Sequence, residues 1–102
     1  MTNITPEEVK QRMDAGEKLN LVDVREVAEN EDFNIGGILH PVGRVREMDI
    51  DGLEHLKGEE VIVYCRSGNR SGQAAMILET MGFSNVKNLT GGKLAWVEKF
   101  GR

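Results

Sequence analysis

The chain has 102 residues, 39% of them apolar and 29% charged, with a net charge of −4. That length suits one compact domain over residues 1–102 with a single core. The longest apolar runs are five residues, Val61 to Cys65 and Ala74 to Leu78, where a membrane span needs about 20, and the acidic balance argues against general nucleic-acid binding.

The single cysteine, Cys65, excludes an internal disulfide and a multi-cysteine zinc site. No metal or cofactor is expected. With no resolving thiol in the chain, the chemistry of Cys65 must involve a small molecule or another protein. The first ten residues show no basic start followed by an apolar stretch, so the expected location is cytoplasmic. Charge is uneven: residues 1–60 hold 15 acidic and 7 basic side chains, residues 61–102 hold 2 and 6. Either the first part carries an acidic solvated face, or the cysteine-bearing part is electropositive for an anion.

Thr5-Pro6-Glu7-Glu8 has the form of a capping box with proline at the first helical position. Val9 and Met13 share one helical face, and Gly16 ends the helix. Leu19 to Val24 reads as a buried strand with Asp23 near its end, and Glu26 to Asp32 as a short polar helix. Gly36 to Pro41 is a turn and a brief strand stopped by proline. Met48 to Leu56 predicts a weak helix ending near Gly58.

Val61-Ile62-Val63-Tyr64 is β-branched, aromatic and continuously apolar, as in a strand buried on both faces of a parallel sheet. Ala74, Ile77, Leu78 and Met81 then recur at helical spacing, with Gly82 as the stop. Asn85 to Leu89 is another short strand. Gly91-Gly92 opens a last helix on which Ala95 and Phe100 are expected to face the core. Alternation of this kind implies an α/β domain with a mainly parallel sheet.

The informative segment is Cys65-Arg66-Ser67-Gly68-Asn69-Arg70-Ser71. It puts a thiol between a buried strand and a helix N-terminus, where unpaired N–H groups and about half a positive charge favour an anion. Thiols so placed drop from a pKa of about 8.5 into roughly the 3.5–7.5 range. Gly68 lets the loop curl so that amides converge on one anion. An inert core cysteine would need neither the glycine nor the two arginines.

This loop resembles the active-site loop of rhodanese-type sulfurtransferases, whose pattern is C-x-x-G-x-R/S/T-S/A. Leu21-Val22-Asp23-Val24-Arg25-Glu26 is similar to the family's early LxDxRE strand. Leu89-Thr90-Gly91-Gly92-Lys93-Leu94-Ala95-Trp96 is similar to its late LxGGxxxW signature. The three segments stand in the family's order and span nearly the whole chain. The resemblance implies a five-stranded, mainly parallel sheet flanked by helices. It also implies that the Cys65 thiolate takes a sulfane sulfur from a small anionic donor such as thiosulfate. The resulting persulfide passes that sulfur to cyanide, a thiol or a protein acceptor. One departure is Asn34, at the position where the family's GHIxGAxxIP stretch carries histidine; packing is expected to change there more than chemistry.

Around that nucleophile several roles stay open. Arg66 and Arg70 either recruit a negative donor or are ordinary surface arginines. Ser67, Asn69 and Ser71 could donate hydrogen bonds to the persulfide, or Ser71 could cap the following helix. Asp23 and Arg25 lie near a strand end that lines the crevice of such sheets, or form a buried structural pair. Trp96 reads as a core or pocket-wall aromatic. His40 and His55 carry no signature linking them to Cys65. A thiolate made by a helix end needs no base.

Two rival functions remain. One is a sulfur carrier or binding module loaded by a protein partner. The other is a cysteine phosphatase or arsenate reductase. Those families place five residues between cysteine and arginine, whereas here four separate Cys65 from Arg70, making a smaller cradle.

Overall fold

A computed structural model describes all residues, Met1–Arg102. In chain order the elements are β1 (Thr2–Ile4), α1 (Pro6–Asp14), β2 (Leu21–Asp23), α2 (Val27–Asp32), β3 (Ile38–Leu39), α3 (Val42–Arg46), a 3-10 turn at Glu54–Leu56, β4 (Glu60–Tyr64), α4 (Asn69–Thr80), β5 (Asn85–Leu89) and α5 (Gly92–Phe100). The five strands form one sheet in the order β1-β5-β4-β2-β3, and every pairing is parallel. The expected α/β architecture, a five-stranded parallel sheet flanked by helices, is the one observed.

The sheet is covered on both faces, which is why its central strand is apolar without interruption. Side chains alternate along β4. Val61, Val63 and Cys65 enter a 14-residue cluster with Val42 and Val45 of α3 and Ala74, Ala75 and Leu78 of α4. Ile62 and Tyr64 enter the opposite cluster with Val9 of α1 and Trp96 of α5. Cys65, the residue after β4, therefore continues its α3/α4 face, at the end where the chain leaves the sheet for α4.

Local chemistry explains the helix that begins at Pro6. The Thr5 hydroxyl accepts from the Glu8 amide at 3.1 Å, and the Glu8 carboxylate accepts from the Thr5 amide at 3.3 Å, completing the capping box. Gly16, at φ +83°, takes the left-handed turn after the helix.

Three expectations need correction, and one strand was missed. β1 was not anticipated: three residues at the sheet edge, paired only with β5, carry no periodicity of their own. The helix expected over Met48 to Leu56 does not form. Helix α3 starts earlier, behind Pro41, and ends where Met48 turns to φ +62°. Asp49 then accepts from the Asp51 amide and Gly52 sits at φ +94°, so only the 3-10 turn remains. The strand expected over Leu19 to Val24 is reduced to Leu21–Asp23. Phe100 does not face the core; it is 39% exposed and rests edge-on against Trp96 at 4.9 Å.

Candidate functional site

Cys65 follows β4 directly and is 1% exposed. The chain then curls through exposed Arg66 and Ser67 to Gly68, whose φ of +105° only glycine takes readily. That turn brings the first turn of α4 back over the thiol. Sγ accepts hydrogen bonds from the Gly68 amide at 3.1 Å, the Ser71 amide at 3.4 Å and the Ser71 hydroxyl at 3.3 Å. Burial works against the thiolate, but the Ser71 hydroxyl and the amides of Ser71, Gly68 and Ser67 outweigh it and hold the thiol below its ordinary pKa. Neutral donors make this cradle, as expected of a curled loop at a helix N-terminus.

Ser71 is the third residue of α4, and the N-cap is Gly68 with no side-chain cap. Ser71 therefore does not cap the helix. Its hydroxyl oxygen stands 2.6 Å from Asn88 Oδ1 on β5. Asn88 Nδ2 in turn donates to the Gly68 carbonyl at 3.1 Å. Asn88 thus ties both ends of the cradle to the sheet, and sequence reasoning missed it. No local pattern marks it: Asn88 is 8% exposed only because the fold lays β5 beside β4.

The back of the loop is held by α5. The Lys93 and Leu94 amides donate to the carbonyls of Cys65 and Arg66 at 2.9 and 3.0 Å. A Cβ on Gly92 would stand 2.4 Å from the Cys65 oxygen, so the second glycine of Gly91-Gly92 is required by close approach. The first N–H groups of α5 are consumed by the loop, whereas those of α4 converge on sulfur.

The two arginines of the loop differ. Arg70 forms a bidentate pair with Glu29 of α2, both bonds 2.8 Å, and that contact lowers the Glu29 carboxyl to about 2. Arg66 is exposed, and its guanidinium pairs with no carboxylate. Ser67 and Asn69 are exposed at the rim.

Asp23 and Arg25 form a buried pair beside this site. The Arg25 backbone amide, Nε and Nη2 donate to the Asp23 carboxylate at 2.8–3.0 Å, and Asn30 Nδ2 donates to it at 2.9 Å. Arg25 also donates to the Phe33 carbonyl at 2.6 Å and lies over the Tyr64 ring. None of these bonds runs to the Cys65 loop. His40, 1% exposed, bonds the Asp49 carbonyl through Nε2 at 2.7 Å.

Trp96 lies away from the thiol. It helps wall a cavity of about 370 Å³ with Met13, Phe33, Ile35 and Phe100, and Cys65 is not among the lining residues. The cavity lies on the α1/α5 side, while the thiol belongs to the α3/α4 side. No group of three or more His, Cys, Asp or Glu side chains is arranged to hold a metal. No helix is long and apolar enough to cross a membrane.

A parallel α/β sheet with a hydrogen-bonded thiol at the end of its central strand defines the class of the molecule. Residues 5–99 match the rhodanese-like domain family, and the chain belongs to that family. A protein named sulfurtransferase from Allochromatium vinosum is 37% identical over 97 residues, covering 94% of this chain and 88% of the relative. The sulfur carrier protein YrkF of Bacillus subtilis is also 37% identical, but this chain spans only 51% of its length. The adenylyltransferase/sulfurtransferase MoeZ of Mycobacterium tuberculosis is 34% identical, and this chain spans 25% of it. The crystal structure of a rhodanese-like domain protein from Staphylococcus aureus superposes with a TM-score of 0.81 at 27% identity, covering 94% of this chain and 91% of that one.

Proposed function

We propose that this chain moves sulfane sulfur through a persulfide on Cys65. Rhodanese-type sulfur transfer is the role its relatives support. The observation that carries the finer reading is the set of donors aimed at Sγ from Gly68 and Ser71.

In the first half-reaction the Cys65 thiolate attacks the outer sulfur of thiosulfate. A new S–S bond forms, the bond from outer sulfur to sulfonate sulfur breaks, and its electron pair leaves on sulfite. The negative charge then resides on the outer sulfur of the persulfide. In the second half-reaction an acceptor such as cyanide attacks that sulfur, the S–S bond breaks, and its pair returns to Sγ. Thiocyanate leaves and the thiolate is regenerated. This is covalent catalysis in two steps with no net change in oxidation state at the protein.

The cradle amides stabilise anionic sulfur before and after loading. Arg66, exposed and unpaired at the rim, is the cation that draws in the dianionic donor; Arg70 contributes less, since Glu29 offsets its charge. Ser67 and Asn69 line the entrance, where they can bond the donor's oxygens. A free thiol chemistry of this kind suits a reducing compartment such as the cytoplasm. Thiocyanate formation from thiosulfate and cyanide, with saturation in both, is the expected result. Hydrolysis of an aryl phosphate without thiocyanate formation would overturn the assignment.

A second reading has one observation in its favour, the carrier name of the Bacillus subtilis relative. In that reading a protein partner loads Cys65 and thiosulfate does not. Loading of Cys65 by a cysteine desulfurase, with none by thiosulfate, would establish it.

A further inference from the structure

The Ser71 hydroxyl has one proton and two acceptors. Its oxygen lies 2.6 Å from Asn88 Oδ1 and 3.3 Å from Cys65 Sγ. A hydroxyl can donate to one of them at a time. Asn88 cannot turn its amide over to escape the conflict, because its Nδ2 is committed to the Gly68 carbonyl at 3.1 Å. The geometry points to Asn88 as a positioning residue that competes with sulfur for the Ser71 proton, so that the hydroxyl follows the charge through the reaction cycle. This rests on the reading of Cys65 as the persulfide carrier.

Three states follow from the valences. With a neutral thiol, Ser71 donates to Asn88 Oδ1, its shorter contact, and its oxygen is free to accept the S–H proton. With a thiolate, the charge on Sγ is the stronger acceptor; the hydroxyl turns to sulfur and Asn88 Oδ1 loses its donor. With a persulfide, the charge sits one atom further out and Sγ is a neutral disulfide-type sulfur. Ser71 then returns to Asn88. Asn88 therefore makes the thiolate less comfortable than Ser71 alone would, and gives the hydroxyl a place to go once sulfur is loaded. Its cost falls on the empty site and not on the loaded one.

The site is built for this exchange to be the main variable. Asn88 is buried, and its amide packs against the Gly72 position, where even a Cβ would come within 3.4 Å. The Gly68 carbonyl keeps a second partner in any case, the Gly72 amide at 3.0 Å, so the start of α4 does not hang on Asn88. The charged residues of the loop and of the elements packed against it include Arg66, Arg70 on α4 with its partner Glu29 on α2, Glu26 ahead of α2, the Asp23–Arg25 pair at the end of β2, Arg46 on α3, Lys87 on β5 and Lys93 on α5. None of them bonds Ser71 or Asn88.

The test is Asn88→Leu, which removes the acceptor while filling the space, read by the pH midpoint of Cys65 alkylation with iodoacetamide. The midpoint is expected to fall below that of the wild type. In Ser71→Ala it is expected to rise, and adding Asn88→Leu to Ser71→Ala is expected to leave it where Ser71→Ala put it. A residue that merely supports the loop would raise the midpoint when removed, or move it equally with and without the Ser71 hydroxyl. Either result overturns the proposal.

A second readout needs no variant at Asn88. The side-chain carbonyl carbon of Asn88, followed by NMR in the wild type, is expected to step at the thiol midpoint. It is expected to return to its thiol-state value on loading with thiosulfate, and to lose the step in Ser71→Ala. A resonance that stays flat, or steps equally in Ser71→Ala, contradicts the exchange. Absence of sulfur loading by thiosulfate would count against the persulfide reading instead, and would show separately in the protein's mass.

Discussion

Two buried polar centres stand at the ends of neighbouring strands, and they are built on opposite plans. Asp23, 0% exposed at the end of β2, is met by a permanent opposite charge and by Asn30, leaving no lone pair facing the crevice. Cys65, 1% exposed just past β4, is met by neutral donors, loop amides and the Ser71 hydroxyl. A carboxylate locked to a guanidinium is committed to one charge state and one geometry. A sulfur in a cradle of neutral dipoles can be thiol, thiolate or persulfide without stranding an ion. Burial alone marks neither centre as reactive; the difference lies in whether the partners carry a fixed charge.

The largest effect that sharpens this contrast is expected from Cys65→Ala. Thiocyanate formation should fall to the uncatalysed background, while far-UV circular dichroism stays that of the wild type. Retained turnover would mean that the sulfur is carried elsewhere.

Asp23→Ala should act on the other side of the comparison. It leaves Arg25 buried without its partner, a situation that costs about 3–5 kcal/mol, measurable by urea unfolding. If Asp23 instead took part in chemistry, turnover would drop with stability intact, and the two centres would not be as distinct as drawn.

Ser71→Ala removes one neutral donor and should raise the pH midpoint of Cys65 alkylation, lowering the thiolate fraction at neutral pH. The sign follows from the depressed pKa of Cys65 in the fold. The same depression gives the folded state a stability increment that is full above the unfolded thiol's pKa and fades as pH falls through the folded one. Cys65→Ala should erase that pH-dependent share, and urea midpoints of the two proteins across that range would show it. The smallest effect should come from Arg66→Ala: a higher KM for thiosulfate with kcat little changed, as for uniform binding of an anion. An unchanged KM would make Arg66 a bystander.

Much of this contrast was legible in the sequence. The apolar run Val61 to Tyr64 announces a strand covered on both faces, and the cysteine, glycine and serine after it announce a thiol under a helix end. The capping box at Thr5 and the strand Asn85–Leu89 were equally readable, because their signals are local. What escaped depends on contacts between distant segments. Asn88 looks like one more polar residue until β5 is laid beside β4, where it pairs with Val63 and reaches Ser71. The commitment of Arg70 to Glu29 joins residues 41 positions apart, so no spacing rule reveals it. β1 is too short to carry a period, and α3 is set by Pro41 and stopped by a left-handed Met48, a conformation that side-chain pattern does not encode.

The most direct measurement of the central claim is the intact mass of the wild type and of Cys65→Ala after incubation with thiosulfate. The wild type alone is expected to gain one sulfur atom, and cyanide or a thiol should remove it. A gain in both proteins, or in neither, would contradict a thiosulfate-loaded persulfide on Cys65.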